Sequence, residues 1–535
     1  MSCQTVFVNG RVLTGDPARP RAHAVAVADG VVAALDAEAV DLIDGRVEVV
    51  DLAGGALVPS FRDGHVHPLW GGVDLGLAPI AAATSVDELL RQVGDYAAAN
   101  PDREWITGGG FNHALQTDGV YDAELLDKVV PDRPVLLMTN DYHAAWCNSL
   151  ALERAGITAG TVDPERGQVL RRGDGTPIGT LLESAVHLVE DLKPKATPQD
   201  RLDGLGRAMR QLAAAGITWA QEAALEPADV ATYLTAAEQG LLPSDVNIAL
   251  RSDPARWRAQ LDEFRTARES AQGNPLVSVG TVKYFADGVI ESGTGALLEP
   301  YADAPHSCGL PNWDAGELCE AVAAFDAAGF QTHIHAIGDA GVRMALDAVA
   351  HAQRVNGARD RRAVIAHTQL VHPDDVPRFA ALGVIANFEP IWAQLDEVMV
   401  HLTLPRLGEQ RSSLHYPMRT LQQTGARLSF GSDWPVSSMR PLDGLATAVT
   451  RQTAAGEPAG GWLPGERLAL ETALSAYTAG VAFQAFAETR TGTLTVGRSA
   501  DLCQLSADIT ALPPGELPDV QVLGTWRRGA EVHRS

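Results

Sequence analysis

Ala327-Ala-Gly-Phe-Gln-Thr-His-Ile-His335 joins the end of a helix, a glycine stop and a short apolar run that closes on two histidines. Glycine after a helix takes the left-handed conformation at little cost. An apolar run directly behind it reads as a buried strand. The same unit recurs in Ala213-Ala-Ala-Gly-Ile-Thr-Trp219, Ala381-Leu-Gly-Val-Ile-Ala386 and Gln423-Thr-Gly-Ala-Arg-Leu-Ser-Phe430. Helix–glycine–strand units in series indicate parallel strands joined by crossover helices. Further strands are expected at Trp105-Ile106 and at 135–138, 247–250 and 276–285. The count approaches the eight of a (β/α)8 TIM-like barrel, an α/β fold placed at residues 59–484. The span from 63 to 435 exceeds the ~250 residues typical of such barrels, so insertions are expected around 68–200. A doubly wound open sheet is the competing topology, but no G-x-G-x-x-G turn stands at the first β–α junction.

The two ends of the chain have a different texture. Val6-Phe-Val8 precedes the Asn9-Gly10 turn, and Ala24-Val-Ala-Val27 runs to Asp29-Gly30, a hairpin signal. Gly492-Thr-Leu-Thr-Val-Gly497, Asp501-Leu-Cys-Gln-Leu505 and residues 520–533 repeat that pattern of short strands and turns. Residues 1–58 and 485–535 are therefore expected to form one discontinuous β-sandwich domain from both termini.

In a barrel of this kind the chemistry sits at the C-terminal ends of the strands. Asp63-Gly-His-Val-His67 follows the apolar run Ala56-Leu-Val-Pro59. Histidines at i and i+2 share a face of a strand, so both rings can reach one ion. Alone the pair is a weak signal, equally read as two histidines satisfied in a core. His333 and His335 close one strand, His367 ends Ala363-Val-Ile-Ala-His, and Asp433 ends Leu428-Ser-Phe-Gly-Ser-Asp. Asp339 reads as a cap of the helix from Gly341 onward. Four strand ends presenting His or Asp supply the ligand types of zinc or a similar divalent ion. Lys283 lies within the apolar stretch Val277-Ser-Val-Gly-Thr-Val-Lys-Tyr-Phe. Read by itself it is a lysine snorkelling from a strand end, since a buried ammonium is costly unless paired.

The 42 basic and 67 acidic side chains give a net charge of -25, which argues against nucleic acid as a partner. No run approaches the ~18 apolar residues of a membrane span. The N-terminal residues show neither a basic nor an apolar leader pattern, so a cytoplasmic location is expected. Five cysteines without a C-x-x-C pair read as reduced thiols.

Taken together, the order H-x-H, strand lysine, His, His, Asp resembles the amidohydrolase superfamily of metal-dependent hydrolases. Val282-Lys-Tyr-Phe-Ala-Asp-Gly288, His335-Ala-Ile-Gly-Asp339 and Gly431-Ser-Asp-Trp-Pro435 resemble the branch that contains N-substituted formamide deformylase. Gly295-Ala-Leu297, Pro300-Tyr301, His143 and Asn148-Ser-Leu-Ala-Leu152 fit that branch as well. The resemblance implies that His65, His67 and Asp433 hold one metal and His335 and His367 a second. It implies a Lys283 carboxylated by CO2 that bridges both ions, two zincs with iron or manganese as alternatives. His333 is left as an inward core residue or a partner of a ligand. The implied activity is hydrolysis of a C–N bond in an amide, N-formyl or N-acyl small molecule by metal-activated hydroxide. Asp433 would carry the proton and His143 would hold the carbonyl oxygen, in a protein that forms a homodimer. Two departures stand out: Glu389 replaces the Gln expected before Pro390, and Val289-Ile-Glu-Ser292 lacks the branch's Ser-Arg-Thr. The alternatives are the same fold acting on an ester, lactone or peptide-like bond, a single-metal deaminase, and an inactive scaffold.

Overall fold

A computed structural model describes residues 3–535; Met1 and Ser2, the start of the expected N-terminal β segment, lie outside the described residues. Eight strands lie side by side in chain order: β1 (Phe61–Val66), β2 (Ile217–Leu225), β3 (Asp245–Arg251), β4 (Val277–Phe285), β5 (Gln331–Ala336), β6 (Val364–His367), β7 (Ile385–Phe388) and β8 (Arg427–Phe430). Every neighbouring pair is parallel. The result is a nearly closed TIM-like barrel. β1 and β8 meet at a seam where the His65 carbonyl accepts from Ser432 N (3.2 Å) and Asp433 N (2.7 Å). Glycine is required on both sides of it. A Cβ on Gly64 would stand 2.9 Å from the Phe430 carbonyl, and one on Gly431 would stand 2.7 Å from His65 N.

The sequence expectation needs one correction here. Ile106–Phe111 and Val135–Thr139 are strands, but they do not belong to the barrel. They pair in a separate five-stranded sheet with Ala144–Cys147, Pro177–Glu183 and Gly167–Arg171, inserted between β1 and β2. A short apolar run bounded by turns carries the same signal in any sheet, because its partner is not encoded locally. The barrel's count is completed by β1 and β6, the strands that end in His65 and His367.

Helix α1 (Pro68–Asp74) leaves β1 immediately after His67. It packs against α2 (Pro198–Ala214), whose start carries a Thr197–Asp200 capping box with Pro198 at the first helical position. The two helices touch backbone to backbone: a Cβ on Gly72 would sit 2.2 Å from the Gly204 carbonyl. Helix α3 (Asp339–Asn356) begins two residues earlier than expected, with Asp339 inside its first turn and Gly338 as the cap.

Both ends of the chain are β-rich. Four strands (Val31–Leu35, Val25–Ala28, Cys3–Val8, Glu48–Asp51) form one sheet, and six (Ala530–Arg534, Val522–Arg527, Leu502–Leu505, Ala56–Pro59, Arg11–Leu13, Arg21–Ala22) form another. Leu502–Leu505 pairs antiparallel with Ala56–Pro59, so the two ends share a sheet. Phe7, Val12, Leu57, Leu502 and Trp526 fall in one apolar cluster. Residues 492–497 form a bend, an irregular stretch and a turn, not a strand; Leu494 N nonetheless donates to the Thr14 carbonyl at 2.7 Å. No helix among the described residues is long and apolar enough to cross a membrane.

Candidate metal centre

The barrel brings the expected residues to one mouth. His65 is buried at the end of β1, and its Nδ1 lies 2.9 Å from His333 Nε2. Its other nitrogen, Nε2, stands 3.1 Å from Lys283 Nζ and 3.4 Å from Asp433 Oδ1. His67 Nε2 is 3.0 Å from the same Asp433 oxygen. The His367 ring centroid lies 4.7 Å from that of His65 and 4.6 Å from that of His335. Ligand atoms of His65, His367 and Asp433 all fall within 4.8 Å of one another.

These spacings suit an ion. Atoms held by one zinc at 2.0–2.2 Å in tetrahedral array stand roughly 3.4 Å apart. Asp433 Oδ1 is buried yet makes no hydrogen bond, although His67 Nε2 is so near. Close but unaligned lone-pair atoms are the arrangement of two ligands of one ion. The remaining nitrogens are occupied in ways that leave a lone pair for the centre. His367 Nδ1 donates to Glu389 Oε2 at 2.8 Å. His335 Nε2 donates to the Gly288 carbonyl at 3.2 Å. Such partners fix tautomer and ring orientation.

Asp63 holds this geometry together across the seam. It accepts from His65 N (3.1 Å), Ser432 N (3.0 Å) and the Ser432 hydroxyl (2.6 Å). Backbone that most residues avoid is held in place here, with φ of +53° at Asp433 and +72° at His367. A non-glycine residue in that region costs on the order of 1–3 kcal/mol, which the surrounding structure must offset.

The electrostatics follow from burial and neighbours. Burial draws Lys283, which is fully buried, down to about 8. Burial, then the charge of Lys283, holds His65 well below the ordinary histidine value. His335 is depressed by burial and then by His367. At His67 burial opposes the charged ring, but the neighbouring Asp433 and Glu222 carboxylates outweigh it and hold it up to about 9. Burial also works against the Asp433 carboxylate, and His67 reverses the balance, keeping it below its ordinary value. A metal ion held by His67 would have to displace the proton that its ring otherwise keeps.

His143, from the inserted sheet, stands with its ring centroid 6.0 Å from that of His335. Its Nδ1 lies 3.0 Å from Glu183, which outweighs burial and holds the imidazole up to about 9. Above the centre opens a cavity of about 860 Å³, walled in part by Trp70, Tyr142, Phe285 and Trp392. All six expected ligands and His143 line it.

Three residues of the site were given no role from the sequence. Glu222 lies within β2, wholly buried, and takes the Tyr233 hydroxyl and Leu69 N (3.2 Å) while facing His67 Nδ1 at 3.6 Å. The signal was present: a carboxylate inside the apolar stretch Ile217-Thr-Trp-Ala-Gln-Glu-Ala-Ala-Leu225 is as anomalous as Lys283. Glu183 is the partner of His143. Asp287 is fully buried and accepts from Ala296 N (2.8 Å), Ile337 N (3.0 Å) and Gly338 N (2.8 Å), so it ties the loops after β4 and β5.

A parallel eight-stranded barrel with histidines, an aspartate and a buried lysine gathered at one mouth defines a metal-dependent hydrolase. The chain belongs to the amidohydrolase family, which matches residues 48–533. LONG AFTER FAR-RED 3 of Arabidopsis thaliana is 31% identical over 522 residues, covering 94% of this chain and 87% of that protein. N-substituted formamide deformylase of Arthrobacter pascens is 27% identical over 543 residues, covering 98% of this chain and 97% of that enzyme. Among solved structures, a metal-dependent hydrolase of Pyrococcus horikoshii superimposes with a TM-score of 0.74 at 23% identity, over 96% of this chain and 99% of the other. That likeness is one of fold.

Proposed function

We propose that the protein hydrolyses a C–N bond of an amide, N-formyl or N-acyl small molecule. The observation that carries this reading is the meeting of His65, His67, Lys283, His335, His367 and Asp433 beneath one cavity. Similarity to N-substituted formamide deformylase along nearly the whole chain supports the choice of bond. His65, His67 and Asp433 would hold one divalent ion and His335 and His367 a second, with Lys283 between them. Zinc is the first choice for a His/Asp ligand set. Such ions supply an attacking water that ionises near neutral pH and polarise the scissile carbonyl.

The chain's own groups do the rest. Burial brings the Lys283 amine within reach of its neutral form, the form that adds CO2. Loss of the ammonium proton, formation of the N–C bond to CO2 and loss of a second proton from that nitrogen turn a buried cation into an anion suited to lie between two cations. Asp433, ionised at neutral pH, accepts the proton of the attacking water and returns it to the departing nitrogen. His143, protonated because Glu183 holds it so, donates from Nε2 to the carbonyl oxygen as negative charge builds there. The terminal sheets act as a β-sandwich that braces β1 through the buried Arg62–Asp501 pair at 3.3 Å.

A panel of N-formyl amines, N-acyl amines, N-acyl amino acids and aryl esters tests the reading. Amine release that is abolished by a chelator and restored by zinc is expected. Cleavage of the esters alone would overturn the choice of bond.

A further inference from the structure

Among the described residues, several hydrogen-bond donors that line the cavity have no hydrogen-bond acceptor. Arg251 is the last residue of β3 and the register partner of Lys283 on β4, so the two side chains leave the sheet on the same face. Its guanidinium lies over Phe285, 5.3 Å from the ring centroid. That ring is itself 5.2 Å from the His335 ring and 4.8 Å from Lys283 Nζ. The Phe285 ring thus touches the Arg251 guanidinium, His335 and Lys283 alike. Among the described residues no carboxylate pairs with its guanidinium; Asp253, two positions on, accepts from Ala255 N instead. Neighbouring cations are neutralised, Lys193 by Glu190 at 2.9 Å and Arg201 by Asp229.

Ser252, beside Arg251, is 3% exposed, and its hydroxyl has no partner. The inserted sheet offers a second such pair. Ser184 N donates to the Arg166 carbonyl at 3.1 Å, and the buried Ser184 hydroxyl has no partner either. The Arg166 guanidinium makes no ion pair among the described residues. All four residues line the cavity. A buried hydroxyl left unpaired costs about 1–3 kcal/mol, and two lining the same cavity, each next to a guanidinium without an ion-pair partner, mark a place for an acceptor-only group. A carboxylate is such a group, and it matches the guanidinium fork.

We propose that Arg251, Ser252, Arg166 and Ser184 form a carboxylate subsite, so that the preferred substrate is an N-acylated amino acid or a similar acylamino acid. The inference rests on the hydrolytic reading for the bond that is cut, but the subsite is testable without turnover. N-acetyl derivatives of glycine, leucine and phenylalanine are compared with their C-terminal amides, which lack the anion. The native protein should favour the acids by about tenfold or more in kcat/KM, and Arg251→Met should lower the acid-to-amide ratio by about 10- to 100-fold. Ser252→Ala should lower it by about three- to tenfold. Titration calorimetry of the N-acetyl acids should follow the same order. A native ratio near one, or a ratio unchanged in Arg251→Met, overturns the subsite. If neither acids nor amides are cleaved, the hydrolytic reading falls and calorimetry decides alone. Acid binding that Arg251→Met abolishes then supports the subsite, and no binding to the native protein overturns it.

Discussion

Replacing Glu389 should weaken metal binding without unfolding the protein. Glu389 is fully buried at the end of β7, with one oxygen accepting from His367 Nδ1 at 2.8 Å and the other without a partner. A hydrogen bond to a charged group contributes about 1.5–3 kcal/mol, roughly twice a neutral one. Glu389→Gln keeps an acceptor and loses the charge, so it should forfeit about half, ~0.75–1.5 kcal/mol. At 1.4 kcal/mol per decade this is a roughly 3- to 12-fold loss of metal affinity, and Glu389→Ala should lose about 10- to 100-fold. In the metal-free protein the sign differs. Burial raises the Glu389 pKa, which shows that the uncompensated anion is disfavoured there, so the glutamine variant should be at least as stable without metal. Competition with a chromophoric chelator measures the first effect and thermal unfolding of the stripped protein the second. Affinity within twofold of native for both variants, or loss of stability without loss of affinity, would refute the argument that Glu389 acts through His367.

Asp433→Asn should retain metal and lose turnover by about 10²- to 10⁴-fold, because an amide cannot carry the proton; full activity would remove Asp433 from that role. Lys283→Met should bind fewer ions than native by elemental analysis, and bicarbonate should speed metal loading of the native protein only. The folded value of about 9 for His143 lies above the ordinary 6.5. The stability it contributes is therefore full below pH 6.5 and lost as the pH rises through about 9. Activity should fall over the same range, and the His143→Gln variant should be flat there. Gly204→Ala would place a Cβ 2.8 Å from the Gly72 carbonyl carbon and Val73 N. It should cost about 1–3 kcal/mol in denaturant unfolding through displacement of α1.

The residues gathered at the barrel mouth were legible because each is a polar type at or near the end of an apolar strand, a combination that burial makes expensive unless it is used. Lys283 shows the limit of that logic, since from its stretch alone a snorkelling side chain was the better account. Only the order of all the strand ends argued otherwise. Glu183 and Asp287 were illegible because their partners lie far away in sequence: Glu183 bonds His143 across 40 positions, and Asp287 bonds Gly338 across 51. Trp105-Ile106 and 135–138 were read as barrel strands for the same reason, as nothing in an apolar run says which sheet will take it. Glu389 was noticed as a departure, but its bond to His367 could be found only once β6 and β7 lay side by side.

The seam between the first and last barrel strands sets the order in which this protein can be made. Asp63 and Ser432, 369 positions apart, must meet before Asp433 can stand beside His65 and His67. At ~5–20 residues per second, a ribosome needs roughly 20–70 s to travel between them. During that time the two histidines have emerged and their carboxylate partner has not yet been synthesised. Loading of an ion on these three residues would thus be a late event in the protein's life, and such an ion would fasten the earliest strand of the barrel to its latest.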